Sequence, residues 1–235
     1  MARGLAQSRA RARDMVLRGT VTVNGQPARK VSQSVADSDV LSVDDAAQLY
    51  VSRAALKLVH GLDHFRIDVA GRACLDIGAS TGGFTEVLLE RGAAHVTAID
   101  VGHGQMVERI STDPRVTLIE GFNARGLTRA EMPEDVSLIV CDVSFISLRL
   151  ALAPALSLAK TGTWLLTLIK PQFEVGRENV GRGGIVSDPA EHARVCEEIS
   201  AFISGSGWVV HGVIASPLTG GDGNIEFLLS AEKAR

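Results

Sequence analysis

The chain has 235 residues, 46% hydrophobic, 22% charged and 4% aromatic, with a formal net charge of −3. This suits one ordinary globular domain plus a small appendage, burying roughly 70% of its unfolded surface, and excludes a disordered or collagen-like chain. The longest apolar tract, 136–159, is interrupted by Asp142 and Arg149, so no stretch reaches the ~20 residues of a membrane span. Residues 1–9 lack the apolar core of a signal peptide. Cys74, Cys141 and Cys196 are widely spaced and form no CxxC pair, which indicates neither a disulfide framework nor a metal site. The expectation is a soluble, cytoplasmic protein.

Charge is unevenly distributed. Residues 1–30 hold seven basic side chains and one acid, whereas 31–49 hold four acids and no base. A basic module on an acidic protein suits phosphate binding, although a solvated helix face would explain the charge equally well. The segment 8–19 reads as a helix, with Ser8 as its cap and Gly19 as its stop. Residues 20–23 alternate at period two and run into Asn24-Gly25, a hairpin-turn signal. A short strand follows at 40–43. The first unit is expected to span 1–44, with a linker at 45–50 and a second domain over 51–235.

In the second domain, helix and strand alternate. Helices are expected at 52–64, 84–91, 147–159 and 188–204. Strands are expected at 73–77, 95–99, 116–119, 137–141 and 163–169, closed by 208–214 and 225–230 with an antiparallel member. Such βα alternation implies an α/β fold with a doubly wound, mostly parallel sheet and ligands at the carboxyl ends of its strands. There the turn Asp76-Ile-Gly78-Ala-Ser80-Thr-Gly82-Gly83-Phe84 follows one strand, and Asp100 ends the next, where a carboxylate can receive a ribose diol. Ser80 stands where a dinucleotide fingerprint needs Gly, and Asp76 suits a cationic ligand better than an anionic one. Asn123 follows the third strand, as an adenine contact or simply a turn residue.

Four charged residues fall where such a fold gathers chain ends: Lys57 on the helix before the first strand, Asp142 and Lys170 at two strand ends, and Glu226 at the last strand. Each alone could be a surface charge or half of a structural ion pair. Phe145 and Phe173 are placed to pack around a substrate or to serve as core aromatics. The polar, Gly-rich stretch 174–186 reads as a flap or an ordinary long connection.

Two resemblances sharpen these readings. The stretch "GLAQSRARARDMVLRGTVTVNGQ" resembles an S4 RNA-binding domain, although S4 domains usually open with a further helical segment that this sequence does not show. The resemblance implies an α+β module, truncated at its start, that grips structured RNA through Arg3, Ser8, Arg9, Arg11, Arg13, Arg18, Arg29 and Lys30. "YVSRAALKL", "DIGASTGGF", "CDVSFISL", "LIKPQFEVGR", "GRGGIV" and "SPLTGGDGNIEFLL" resemble the TlyA family, which joins an S4 domain to an FtsJ-like methyltransferase and in part carries the label haemolysin. Ala54 and Ala55 stand where that family more often shows Gly-Gly.

The second resemblance implies a class I (Rossmann-like) methyltransferase sheet and methylation of a ribose 2′-hydroxyl, of cytidine, in ribosomal RNA or ribosomal subunits. S-adenosylmethionine would be held by Asp76, Gly78, Ser80, Gly82, Gly83, Phe84, Asp100 and Asn123. Lys170 would be the general base, Lys57 a second cation that disfavours its charged form, and Asp142 and Glu226 their orienting partners, with no metal. The alternatives are an NAD-dependent oxidoreductase on the same fold, which Ser80 opposes, and a haemolysin or cytolysin, which the absence of an amphipathic membrane helix opposes.

Overall fold

Asn24 and Gly25 both take left-handed backbone angles (φ 51° and 78°), the pairing that a two-residue hairpin turn needs to follow the twist of its strands. They join β1 (Val21–Val23) to β2 (Gln26–Pro27), and β1 pairs on its other side with β3 (Leu41–Val43), giving a three-stranded antiparallel sheet beside α1 (Arg9–Leu17). The structure is a computed structural model that describes residues 3–6, 9–45, 49–133, 135–220 and 223–234. The chain divides into two units, Met1–Leu49 and Tyr50–Arg235.

Polar side chains hold much of the first unit together. Asn24 donates to Asp39 Oδ1 and accepts from Val40 N, each at 2.8 Å. Arg3 donates to the carbonyls of Asp39, Ala36 and Asp37. Arg18 donates to both oxygens of Asp45 at 2.6 and 2.5 Å, and to Asp14 at 2.8 Å. The bond to Asp45 holds the Arg18 guanidinium above its ordinary value, against the opposing effect of its own burial. Arg18 is half-buried and bound to two carboxylates within the fold, while Arg3 stays exposed as it bonds these carbonyls. One expectation is corrected. Asp45, expected in the linker, belongs to the first unit, its side chain 1% exposed. Ser8 and the side chain of Arg11 lie outside the described residues. Arg9, Arg13, Arg29 and Lys30 are exposed.

The second unit is a seven-stranded sheet. In chain order its elements are α2 (Ala54–Phe65), β4 (Ala73–Ile77), α3 (Gly83–Glu90), β5 (His95–Ile99), α4 (Glu108–Ser111), β6 (Val116–Ile119), β7 (Val136–Cys141), α5 (Leu148–Leu158), β8 (Trp164–Ile169), α6 (Pro189–Gly205), β9 (Trp208–Ala215) and β10 (Phe227–Lys233). The strand order is β6-β5-β4-β7-β8-β10-β9, with all pairs parallel except those of β10, which runs antiparallel between β8 and β9. Strands such as Trp164-Leu-Leu-Thr-Leu-Ile169 are apolar nearly throughout because both faces are covered. α5 and α6 pack Leu152, Leu156, Val195 and Ile199 on one face, while α2 and α3 pack Leu58, Leu62, Val87 and Leu88 on the other. α6 starts with Pro189 behind the capping side chain of Asp188, which accepts from Ala190 N. α2 stops at Arg66 in the left-handed region (φ 54°).

The last strand departs from the expected 225–230. Ile225 is 46% exposed and lies outside it, while Glu232 and Lys233 continue the ladder opposite Val209 and Trp208. Among the described residues, no helix is long and apolar enough to cross a membrane.

The Arg18–Asp45 contact generates a stability prediction. Asp45→Ala leaves a half-buried guanidinium short of its two-point partner and is expected to cost the first unit about 2–3 kcal/mol. Hydrogen exchange on the full chain should speed up across residues 9–45 and leave β4–β8 unchanged; equal protection in both variants would contradict it.

Candidate active site

β7 and β8 run parallel, with Cys141 beside Thr167. Their next residues to leave the sheet, Asp142 and Lys170, therefore emerge at the same edge, and Lys170 Nζ lies 2.6 Å from Asp142 Oδ1. The antiparallel entry of β10 adds the third charge. Phe227 pairs with Ile169, so Glu226, one residue before, is the neighbour of Lys170, one residue after. Glu226 in turn holds Lys57 of α2 in a buried ion pair. Lys57, Lys170 and Glu226 are 6%, 9% and 3% exposed. Two cations and two anions thus alternate along one sheet edge, in a setting where an unpaired charge would be costly.

The turn after β4 brings the pocket up to this edge. Gly78 (φ +86°) lies so close to β7 that a Cβ there would stand 2.7 Å from the carbonyl oxygen of Asp142. At Gly83 a Cβ would come within 2.2 Å of Ser52 Oγ. The approach at Gly78, to backbone and at positive φ, requires glycine, whereas at Gly83 an added Cβ would turn the Ser52 hydroxyl aside. The resulting pocket, about 250 Å³, is lined by Ser52, Arg53 and Ala54, by Gly78 to Thr81 with Gly83 and Phe84, and by Asp142, Ser144 and Lys170.

Asp76 lies under this turn, fully buried. Its Oδ2 accepts from Thr85 Oγ1 at 2.7 Å, and its Oδ1 has no hydrogen-bond partner. Burial, with a smaller push from the charges of Asp142 and Asp100, raises its carboxyl to about 7 despite the Thr85 bond. Such a group awaits a positive charge. Asp100, ending β5, accepts from Ser80 N at 2.8 Å and from Gly102 N at 2.7 Å, tying the turn to the next loop.

Of the residues singled out in the sequence, Gly78, Ser80, Gly83, Phe84, Asp142 and Lys170 line this one pocket. Gly82 (φ 96°) caps α3 and packs against Ile110 and Met106. Asn123 is exposed and outside that lining, and its side-chain oxygen accepts from Arg125 N at 3.0 Å, as a turn residue does. Phe145 is no core aromatic. It is 91% exposed, takes a left-handed φ of 64°, and lies 5.1 Å from the Phe173 ring. That conformation is strained for a bulky side chain and is typical of functional sites. Beyond Phe173, Glu174 accepts from Ser147 Oγ and Leu148 N, both at 2.7 Å, fastening the Lys170 loop to the start of α5. Ser52, Arg53, Thr81 and Ser144 were missed. For Ser144 a signal existed, since it stands two residues after a strand-end acid and extended chain turns alternate side chains the same way.

Comparison with known proteins agrees with this geometry. The FtsJ-like methyltransferase family matches residues 50–233 and the S4 domain family matches residues 1–41. The 16S/23S rRNA (cytidine-2′-O)-methyltransferase TlyA of Mycobacterium tuberculosis is 49% identical over 228 residues, 97% of this chain and 85% of that protein. Hemolysin A of Brachyspira hyodysenteriae is 41% identical over 228 residues, 96% of this chain and 94% of that protein. A solved structure from Streptococcus thermophilus, provisionally named a hemolysin, superposes with a TM-score of 0.80 at 40% identity, covering 99% of this chain and 86% of that one. With these domains, this identity and this strand order, the chain belongs to the FtsJ-like methyltransferases, in the TlyA family that carries an S4 domain.

Proposed function

We propose that the protein transfers a methyl group from S-adenosylmethionine to the 2′-hydroxyl of a cytidine ribose in ribosomal RNA. The observation that carries this reading is the alternation Lys57–Glu226 and Lys170–Asp142 beside the pocket. It supports removal of a proton from a weakly acidic hydroxyl. The names of the relatives support the RNA substrate. The first unit, Met1–Leu49, serves as the RNA-docking module and the second, Tyr50–Arg235, as the catalytic domain. The substrate places the protein in the cytoplasm.

The residues fit the cofactor on two counts: the unpartnered Asp76 Oδ1, and a glycine cradle that an added Cβ would fill. Asp76 would face the cationic amino-acid end, with Gly78, Ser80, Gly83 and Phe84 around it. Asp100 would receive the ribose diol, and Asn123 the adenine. When bound, S-adenosylmethionine supplies a methyl carbon that forms a bond to the 2′-oxygen as its bond to sulfur breaks. Lys170 Nζ takes the hydroxyl proton. Asp142 holds the resulting ammonium, and the Lys57–Glu226 pair keeps a second cation fixed close by. The exposed Phe145 ring, backed by Phe173, offers a face on which the target base can stack. In the first unit Arg9, Arg11, Arg13, Arg29 and Lys30, with Ser8, would meet RNA phosphates.

Three outcomes are expected. Label transfer from radiolabelled S-adenosylmethionine to purified ribosomal subunits should fall by roughly 10²–10⁴-fold in Lys170→Ala, with cofactor affinity nearly unchanged. A variant that keeps its activity removes Lys170 as the base.

Asp76 predicts proton release. Its carboxyl titrates near 7 without a cation, and a cationic ligand favours the ionised form. Calorimetry in buffers of different ionisation enthalpy should therefore show a proton leaving on cofactor binding at pH 6 and none at pH 9. No release at pH 6, or the same release from Asp76→Asn, would contradict the placement.

Replacing Arg9 and Arg13 together by Gln should weaken RNA binding and reduce its salt slope by about 2. An unchanged slope moves the docking surface elsewhere.

A further inference from the structure

Lys170 has two polar side chains against it, and they act differently. Asp142 Oδ1 is at 2.6 Å but enters no hydrogen bond, so this contact holds charge without setting direction. Ser144 Oγ is at 2.9 Å and accepts a hydrogen bond from Nζ. Among the described residues it is the one side chain that directs the amine by hydrogen bonding. The lysine is also the one partner that this hydroxyl has there. Ser144 is exposed and lines the same pocket, and the strained Phe145 (φ 64°) follows it, turning the chain so that the ring projects to solvent while the preceding hydroxyl stays on Lys170. Nothing in the packing requires a hydroxyl at this site.

We infer that Ser144 is a positioning residue of the reaction, fixing the rotation of the Lys170 amine so that its lone pair faces the ribose hydroxyl. The inference rests on the methyl-transfer reading above. A neutral amine has two N–H bonds and one lone pair. With one N–H given to Ser144, the amine's rotation is fixed and its lone pair can be left for the pocket. During transfer the 2′-O–H bond breaks towards that lone pair, and Nζ gains its third hydrogen as the new O–C bond forms. Without Ser144 the amine keeps Asp142 beside it but is free to rotate about its last bond. The reaction then loses orientation rather than a reacting group.

The charged groups around Lys170 are Asp142 at the end of β7, Glu226 opposite it on the segment entering β10, Lys57 held by Glu226 from α2, and Arg53 in the pocket lining, with Asp76 buried beneath the neighbouring turn. None is altered by a change at Ser144.

The test uses the full chain, S-adenosylmethionine and purified ribosomal subunits under single-turnover conditions. Ser144→Ala is expected to lower the transfer rate roughly 10- to 100-fold, with cofactor and subunit affinities within about twofold of wild type. Ser144→Thr, which keeps the hydroxyl, should recover most of the rate. A wild-type rate in Ser144→Ala overturns the inference, as does an equal loss in both variants, which marks a merely structural position. Wild-type protein that shows no Lys170-dependent label in RNA overturns the underlying reading, whatever the Ser144 variants do.

Discussion

The antiparallel ladder between β8 and β10 is the constraint on which the site depends. Because Ile169 pairs with Phe227, Lys170 leaves one strand beside the point where Glu226 enters the other. A parallel strand in that place would carry its flanking residues to the wrong end of the sheet. From this one register the rest follows. Glu226 reaches Lys57 on α2, Asp142 reaches Lys170 from the parallel neighbour β7, and four charges share the edge where the Gly78–Phe84 turn opens its pocket.

Buried charges of this kind are weak stabilisers. Each group gives up hydration worth several kcal/mol, and its partner returns that only in good geometry. An apolar edge would hold the fold equally well, so the arrangement is better understood as chemical than as structural. Asp76 follows the same logic with the balance left open. One oxygen is satisfied by Thr85, the other by nothing in the protein, and burial raises the carboxyl to about 7, so that a nearby cation would favour its ionised form. The scaffold around these charges is conventional: two apolar layers on a sheet whose strands are buried on both faces.

Much of this was legible in the residues. β4, β5 and β6 fall on the expected bounds, because apolar residues recur along each of them and the inner two are largely buried. The four charged site residues stood out for the complementary reason, as polar groups at the margins of such runs. β10 was misplaced because burial and hydropathy part company there. Ile225 is apolar yet exposed, whereas Lys233 is charged yet donates to Leu156 O and Ser206 O and lies over the Trp208 ring. Arg18 looked like a surface cation because a pattern of charge says nothing of a partner 27 residues away. Phe145 stood open between core and substrate until its φ and exposure decided against the core.

The most direct measurement of the central claim is the chemical identity of the product. Ribosomal subunits treated with the protein and S-adenosylmethionine should be digested to nucleosides and compared with untreated subunits by mass spectrometry. A site built to take a proton from a ribose hydroxyl predicts new 2′-O-methylcytidine, at a phosphodiester resistant to alkali. A methyl group found on a base, with the riboses unmodified, would contradict it.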